Sequence, residues 1–176
     1  MDQFKLVEPS LEYRYEYLDM INEWSNTGEK MIPFILRFDC SNFDSFLEEI
    51  HKLKTNKDRG ENKVNSSTFL LVNNEGRVLG ATNIRHELNE QLLKMGGHIG
   101  YGIRPSERKK GYASQLLGLA LEKARSLEIR SVLVTCDKDN VGSARTILRN
   151  NGRLDSEDIV DGVAIQRYWI NNNLES

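Results

Sequence analysis

A strand, a basic turn and a helix follow one another between residues 97 and 127, and this succession constrains the fold more than any other part of the sequence. The apolar run Gly97–Ile103 predicts a strand, which Pro105 is expected to end because proline restricts the residue before it. From Ala113 to Leu127, apolar side chains recur at spacings of three and four, which predicts an amphipathic helix. Strands and helices in this alternation are typical of an α/β domain.

The turn between this strand and this helix is the basic stretch Arg-Lys-Lys-Gly-Tyr-Ala at positions 108–113. The first turn of a helix presents unpaired backbone N–H groups and the positive end of the helix dipole, which together favour an anion. Gly111 lets the backbone approach a ligand closely. The three cations Arg108, Lys109 and Lys110 add to the attraction. The stretch therefore predicts a phosphate-binding turn.

Charge and cysteine content exclude several classes of protein. The formal net charge of -2 argues against a general nucleic-acid binder, which usually carries a basic excess. Cys40 and Cys136 lie far apart and match no zinc spacing, so we expect no metal site and a reducing compartment. Because the sequence has neither a signal peptide nor an apolar run long enough to span a bilayer, we expect a cytoplasmic protein without membrane contact. Its 176 residues are expected to form a single domain, 1–176.

Periodicity and turn signals predict the order of the other elements. They are a strand at Phe4–Val7, a helix from Ser10 to Trp24, a helix from Ser41, a hairpin of Thr68–Val72 and Arg77–Arg85, a strand at Ser131–Cys136, a helix near Gly142–Asn150, and a hairpin of Ile159–Val160 and Val163–Ile170. Ser41 with Asp44 resembles a capping box, and residues 55–67 are expected to form an exposed loop. The order β-α-α-β-β-β-α-β-α-β-β predicts one α/β domain around a mixed sheet.

This element order and the 108–113 stretch resemble the GNAT superfamily, the Gcn5-related N-acetyltransferases. The phosphate loop of that family reads Arg or Gln, any two residues, Gly, any residue, then Gly or Ala, which Arg108, Gly111 and Ala113 match. Asn140 with Ser143 resembles the asparagine that starts the family's fourth helix. The resemblance implies a mixed central sheet, flanked by helices, in which one pair of parallel strands is splayed. It also implies an N-acetyltransferase that moves an acetyl group from acetyl-CoA to a primary amine.

The same resemblance implies the contacts with coenzyme A. The pyrophosphate is expected to lie against the backbone amides of the loop, formed by Arg108, Lys109, Lys110, Gly111, Tyr112 and Ala113. The pantetheine arm is expected to pair with main-chain groups around Tyr101 and Ile103, like an added strand. A main-chain N–H near these two residues is the expected oxyanion donor. The Asn140 side chain, next to Ser143, is expected to contact the pantetheine or the end of the slot.

Two histidines are candidate bases for the acceptor amine. Many family members carry a glutamate on the splayed strand, and His98 occupies the equivalent or a neighbouring position here. An unperturbed histidine has a pKa of about 6.5, which suits proton removal near neutral pH. His86, on the preceding predicted strand, is the second candidate. The alternative for either side chain is an ordinary strand residue that is hydrogen-bonded to its neighbours.

The sequence departs from the family at the proton donor for the leaving thiolate. Many members carry a tyrosine seven residues after the helix asparagine, and Ile147 stands at that position here. Either no acid is required, or Tyr101, Tyr112 or Tyr168 supplies the proton. Ile147 favours a second function, a module of the same fold that senses a CoA ester without turnover, whereas His98 favours an enzyme. The sequence names no acceptor beyond a small-molecule or peptide amine, and it fits a monomer or a homodimer.

Overall fold

The computed structural model describes residues 3–55 and 63–174. This part of the chain contains both strands and helices. They are β1 (Lys5–Val7), α1 (Arg14–Ser25), α2 (Phe43–Thr55), β2 (Ser66–Val72), β3 (Val78–Arg85), α3 (Glu90–Lys94), β4 (Ile99–Ile103), α4 (Tyr112–Ser126), β5 (Ser131–Asp137), α5 (Val141–Arg149), β6 (Arg153–Val160) and β7 (Val163–Asn171). Short 3-10 turns occur at Leu11–Tyr13, Phe34–Arg37 and Pro105–Glu107.

The strands form two sheets that meet at one point. One sheet has the antiparallel order β1-β2-β3-β4, and the other has the order β5-β7-β6. The sheets adjoin where the backbone N–H of His98, just before β4, donates to the Leu133 carbonyl of β5 at 2.8 Å. No ladder joins β4 to β5 within the described ranges, so the two strands diverge and leave a gap. β4 and β5 are thus the splayed pair of strands that the family resemblance implies. The α/β fold with flanking helices is confirmed.

The helix α4 covers this region because its apolar residues fall on one face. Its fully or largely buried side chains are Leu116, Leu117, Ala120, Leu121 and Ala124. They pack against β3 and β4 and against Val132 and Val134 of β5. The helix is therefore fixed over both sheets, with its first turn directly beyond the end of β4.

Ion pairs fix α1 against the end of β4. The Arg104 side chain is buried and contacts three carboxylates on α1, those of Glu16, Asp19 and Glu23. Glu23 accepts from Arg104 Nε at 2.7 Å and from the Ser106 backbone N–H at 2.7 Å. A buried guanidinium is costly unless it is paired, so this cluster holds α1 and the connection after it beside the phosphate loop.

Several local predictions were wrong in detail. The helix α2 is capped by Asn42, whose Oδ1 accepts from the Ser45 N–H at 3.1 Å, while the Ser41 N–H donates to Asp39. Ser41 therefore does not form the expected capping box. The short helix α3 was not predicted, because its five residues are too few to show a period. The expected loop at 55–67 lies largely outside the described residues.

Candidate active site

A cavity of about 580 Å³ lies between β4, the start of α4, α5 and the connection that follows α1. Its lining brings together nine of the ten residues expected to contact coenzyme A. They are Tyr101, Ile103, Arg108, Lys109, Gly111, Tyr112, Ala113, Asn140 and Ser143. Lys110 is not among the lining residues, and its Nζ lies 2.9 Å from Oε2 of Glu107. Residues from three separate parts of the sequence thus surround one space.

The loop before α4 has the backbone conformation of an anion site. Gly111 has a φ of +84°, and Lys109 has a φ of +62°. Gly111 is the N-cap of α4 and offers no side chain, so the N–H groups of the first turn are left for a ligand. A Cβ at Gly111 would meet nothing within 4 Å. Glycine is therefore required here by the left-handed backbone and not by a lack of space.

The outer edge of β4 presents main-chain groups to the cavity. The N–H of Arg104 donates to the Leu79 carbonyl of β3 at 2.8 Å. Because backbone polar groups alternate in direction along a strand, those of Tyr101 and Ile103 point away from β3, toward the gap. The Ile103 carbonyl accepts from Arg108 Nε at 3.2 Å and keeps a second lone pair. The edge can therefore pair with an extended ligand.

The Arg108 side chain joins the phosphate loop to the connection after α1. Its Nη2 lies 2.8 Å from Glu29 Oε2, and its Cζ lies 5.2 Å from the centre of the Trp24 ring. The hydrogen bond from Arg108 lowers the pKa of the Glu29 carboxyl. Trp24, Glu29, Lys30 and Ile32 form one wall of the cavity. This wall exists only once the connection folds back onto β4.

The start of α5 forms the opposite wall. Asn140 caps this helix, with its Oδ1 accepting from the Ser143 N–H at 3.0 Å. Ser143 also meets the hydroxyl of Tyr101, which is largely buried, and burial raises the pKa of Tyr101 to about 12. Ile147 stands where many family members carry a tyrosine. Its side chain is fully buried in the core and does not line the cavity. Contact between Asn140 and the pantetheine stays a prediction.

His98 lies outside the lining of the cavity. Its side chain is only 7% exposed, and its Nδ1 accepts from the Leu133 backbone N–H at 3.0 Å. Burial, together with the nearby Arg85 charge, lowers the pKa of His98 to about 4. These contacts give His98 a structural role where the two sheets meet. Its role as a base stays a prediction that this geometry does not favour.

His86 also lies outside the lining and follows the end of β3. Its Nε2 lies 2.8 Å from the Ser67 hydroxyl. Burial lowers the pKa of His86, and the charge of Lys54 lowers it further. None of the described residues that line the cavity is a histidine, so the two candidate bases are not brought to the same place as the cofactor residues.

Two further properties concern the described ranges only. In residues 3–55 and 63–174, no helix is long and apolar enough to cross a bilayer. The same ranges contain no group of three or more histidine, cysteine or acidic side chains that is arranged to hold a metal ion.

Solved acetyltransferase structures share this fold over nearly the whole chain. The microcin C7 self-immunity acetyltransferase MccE, in complex with acetyl-CoA and AMP, is 20% identical, with a TM-score of 0.67 over 97% of this chain and 93% of that chain. A chimera of the Vibrio cholerae spermidine N-acetyltransferase SpeG and hSSAT is 15% identical, with a TM-score of 0.63 over 97% and 96%. A dodecameric Vibrio cholerae spermidine N-acetyltransferase is 16% identical, with a TM-score of 0.62 over 97% and 94%.

Identities of 15% to 20% show that these proteins share the fold, but the family must be assigned from the sequence itself. A search of curated protein sequences found no match. The profile of the acetyltransferase (GNAT) domain, however, matches residues 12–153, which include α1, both diverging strands, the phosphate loop and α5. The chain therefore belongs to the GNAT family of acetyltransferases.

Proposed function

We propose that this protein transfers an acetyl group from acetyl-CoA to a primary amine of a small molecule or peptide. One observation carries the proposal: a single cavity unites the phosphate loop with the unpaired edge of β4. The first-turn N–H groups of α4, with Lys109 beside them, fit a pyrophosphate. The main-chain groups of Tyr101 and Ile103 fit the amides of a pantetheine arm.

The chain's own contribution is mainly to position the reactants. When bound, the thioester supplies an activated acetyl group. The wall formed by Trp24, Glu29, Lys30 and Ile32 faces β4 and confines the acceptor amine near that group, which converts a bimolecular encounter into an oriented one. A main-chain N–H of the β4 edge, at Tyr101 or Ile103, stabilises the negative charge that develops on the acetyl oxygen.

The Tyr101 hydroxyl is the proton donor for the leaving thiolate. Its raised pKa keeps it protonated at neutral pH, and Ser143 holds it between β4 and α5. Tyr112, the other tyrosine of the lining, packs against Phe4 at the loop end of the cavity, with ring centres 5.1 Å apart. As the new C–N bond forms and the C–S bond breaks, the sulfur would take the Tyr101 proton. A water molecule would accept the proton that the amine loses and would pass a proton to the Tyr101 oxygen, so that the tyrosine is restored.

The proposal is tested by measuring thiol release from acetyl-CoA by the 176-residue chain. The acceptor panel contains polyamines, aminoglycosides, amino acids and peptides, because proteins of similar structure include spermidine N-acetyltransferases and the self-immunity enzyme MccE. We expect release above the acceptor-free rate with at least one amine, and a product whose mass is increased by one acetyl group.

A CoA-ester sensor of the same fold is the second candidate, favoured by the burial of Ile147 where many family members carry an acid. Calorimetry on the same preparation separates the two functions. Tight binding of acetyl-CoA with no release across the panel would support the sensor over the enzyme. Absence of any acetyl-CoA binding would refute both.

A further inference from the structure

Arg149 lies in the last turn of α5 and lines the cavity, although it was not among the residues expected to contact coenzyme A. Its position is fixed by the next residue. The Asn150 Nδ2 donates to the Ser114 carbonyl at 3.1 Å and also contacts the Ser114 hydroxyl at 3.4 Å. These contacts hold the end of α5 against the first turn of α4. The backbone at Arg149 is therefore held beside the phosphate loop, and its exposed side chain lines a separate wall of the cavity.

The lining carries more positive than negative charge. Its charged side chains are Lys30, Arg108, Lys109 and Arg149 against Glu29 and Glu107. Both carboxylates are already paired, Glu29 with Arg108 and Glu107 with Arg77 and Lys110. Among the residues that the structure describes, no carboxylate forms an ion pair with Lys109 or Arg149. Cationic groups without partners at a cavity mouth indicate an anionic ligand.

We propose that Arg149 binds the 3′-phosphate of coenzyme A and so selects coenzyme A over 3′-dephospho-coenzyme A. The inference rests on the proposed function, which supplies the ligand. The pyrophosphate is matched by the N–H groups at the start of α4, close to the axis of that helix. The ribose 3′-phosphate is the remaining anionic group of the coenzyme. A guanidinium on an adjacent wall offers it a planar, bidentate partner.

A second arginine on the same helix provides a matched control. Arg145 lies one turn before Arg149, is also exposed, and is not among the residues that line the cavity. Replacing either arginine with glutamine removes one positive charge from the surface of α5. General electrostatic attraction predicts similar effects for the two variants, whereas a built subsite predicts an effect for Arg149 alone.

The test measures dissociation constants by calorimetry at low ionic strength for coenzyme A and 3′-dephospho-coenzyme A. We expect the unaltered protein to bind coenzyme A roughly tenfold more tightly than the dephosphorylated form, the size of one charge-assisted contact. Arg149→Gln should remove that preference and leave the affinity for 3′-dephospho-coenzyme A unchanged. Arg145→Gln should retain the preference.

Other outcomes overturn the inference. An equal loss of affinity for both ligands in Arg149→Gln would place this side chain on the pyrophosphate or in the fold. Equal affinities for the two ligands in the unaltered protein would show that no such subsite exists. Failure of the unaltered protein to bind either ligand would refute the proposed function itself, and the inference would fall with it.

Discussion

The hydroxyl of Tyr101 lies 2.8 Å from the Oγ of Ser143, a hydrogen bond that connects β4 to α5. Tyr101 belongs to the strand whose free edge faces the cavity, and Ser143 donates its backbone N–H to the cap of α5. One polar contact therefore sets the distance between the two walls of the cavity. Removal of the hydroxyl, with the ring retained, separates its chemical role from the packing of the ring.

Tyr101→Phe should lower kcat for acetyl transfer by about 10- to 100-fold, at the low end for general acid catalysis, because a thiolate is a tolerable leaving group. The calorimetric affinity for acetyl-CoA should be nearly unchanged. Because burial raises the pKa of Tyr101 to about 12, its ionisation should produce no fall in the kcat of the unaltered enzyme below about pH 10. Steady-state kinetics across pH, with the best acceptor of the panel, measures both effects.

Tyr168→Phe is the control, since it also removes the hydroxyl of a buried tyrosine. That hydroxyl donates to Gln166 at 2.9 Å, and Tyr168 does not line the cavity. Its kcat should equal that of the unaltered protein. If Tyr101→Phe loses acetyl-CoA affinity by the same factor as kcat, the hydroxyl acts in binding and the assignment of an acid is wrong.

His98→Ala should destabilise the protein by about 2–4 kcal/mol, because it leaves the buried Leu133 N–H without an acceptor and creates a cavity. His98→Asn keeps a side-chain acceptor near the position of Nδ1 and should lose about half as much. Chemical denaturation measures both free energies. The kcat of folded His98→Asn should stay within about threefold of the unaltered value, whereas loss of a general base would lower it by 100-fold or more.

The stability of the unaltered protein should depend on pH through the same residue. The folded pKa of His98 is about 4, below the value of about 6.5 expected in the unfolded chain. The unfolded chain therefore binds a proton first, and up to about 3 kcal/mol of stability is lost as the pH falls from 6.5 to 4. Carboxylates such as Glu107 also titrate in acid, so the difference between the unaltered protein and His98→Asn isolates the histidine.

Gly111→Ala should weaken acetyl-CoA binding by about tenfold or more, because alanine disfavours the left-handed backbone that directs the first-turn N–H groups. The matched control is Gly162→Ala in the β6–β7 hairpin, where φ is +80° and a Cβ would likewise meet nothing within 4 Å. Both variants should lose about 1 kcal/mol of stability. Equal acetyl-CoA affinities in the two variants would show that the loop is not the phosphate site.

Gly102→Ala should displace the connection after α1 from β4. A Cβ at Gly102 would overlap the Ile32 carbonyl and lie 2.6 Å from the Trp24 ring. We expect a loss of about 1–3 kcal/mol and a larger rise in KM for the acceptor than for acetyl-CoA. Gly100→Ala is the control, since its Cβ would lie 3.4 Å from Pro33, close to ordinary contact distance. Equal KM values in both variants would show that this wall does not confine the acceptor.

The sequence predicted the features that depend on local patterns. The apolar spacing of α4 and the glycine of the phosphate loop are properties of neighbouring residues, and both were placed correctly. Asn140 was singled out by the resemblance to the family's helix asparagine, and the structure places it at the N-cap of α5. The start of α4, Gly111 and Asn140 all line the cavity.

Features that depend on contacts between distant segments could not be predicted from the sequence. Whether His98 faces a cleft or joins two sheets depends on how far β4 and β5 diverge, which no periodicity encodes. The same holds for Glu29, which meets Arg108 only after the connection folds back. Arg149 likewise belongs to no recognisable sequence pattern. It lies near the phosphate loop because the neighbouring residue, Asn150, contacts Ser114.

The free edge of β4 has a consequence for how such a protein can change over time. In the proposed donor site, the groups that Tyr101, Ile103 and the turn at Gly111 offer are peptide groups, so most side-chain replacements nearby would remove none of them. A donor site of this kind tolerates extensive sequence divergence as long as the backbone path is kept. The wall opposite β4 consists of side chains, such as Glu29 and Ile32, and can be remodelled for a new acceptor without rebuilding the donor half.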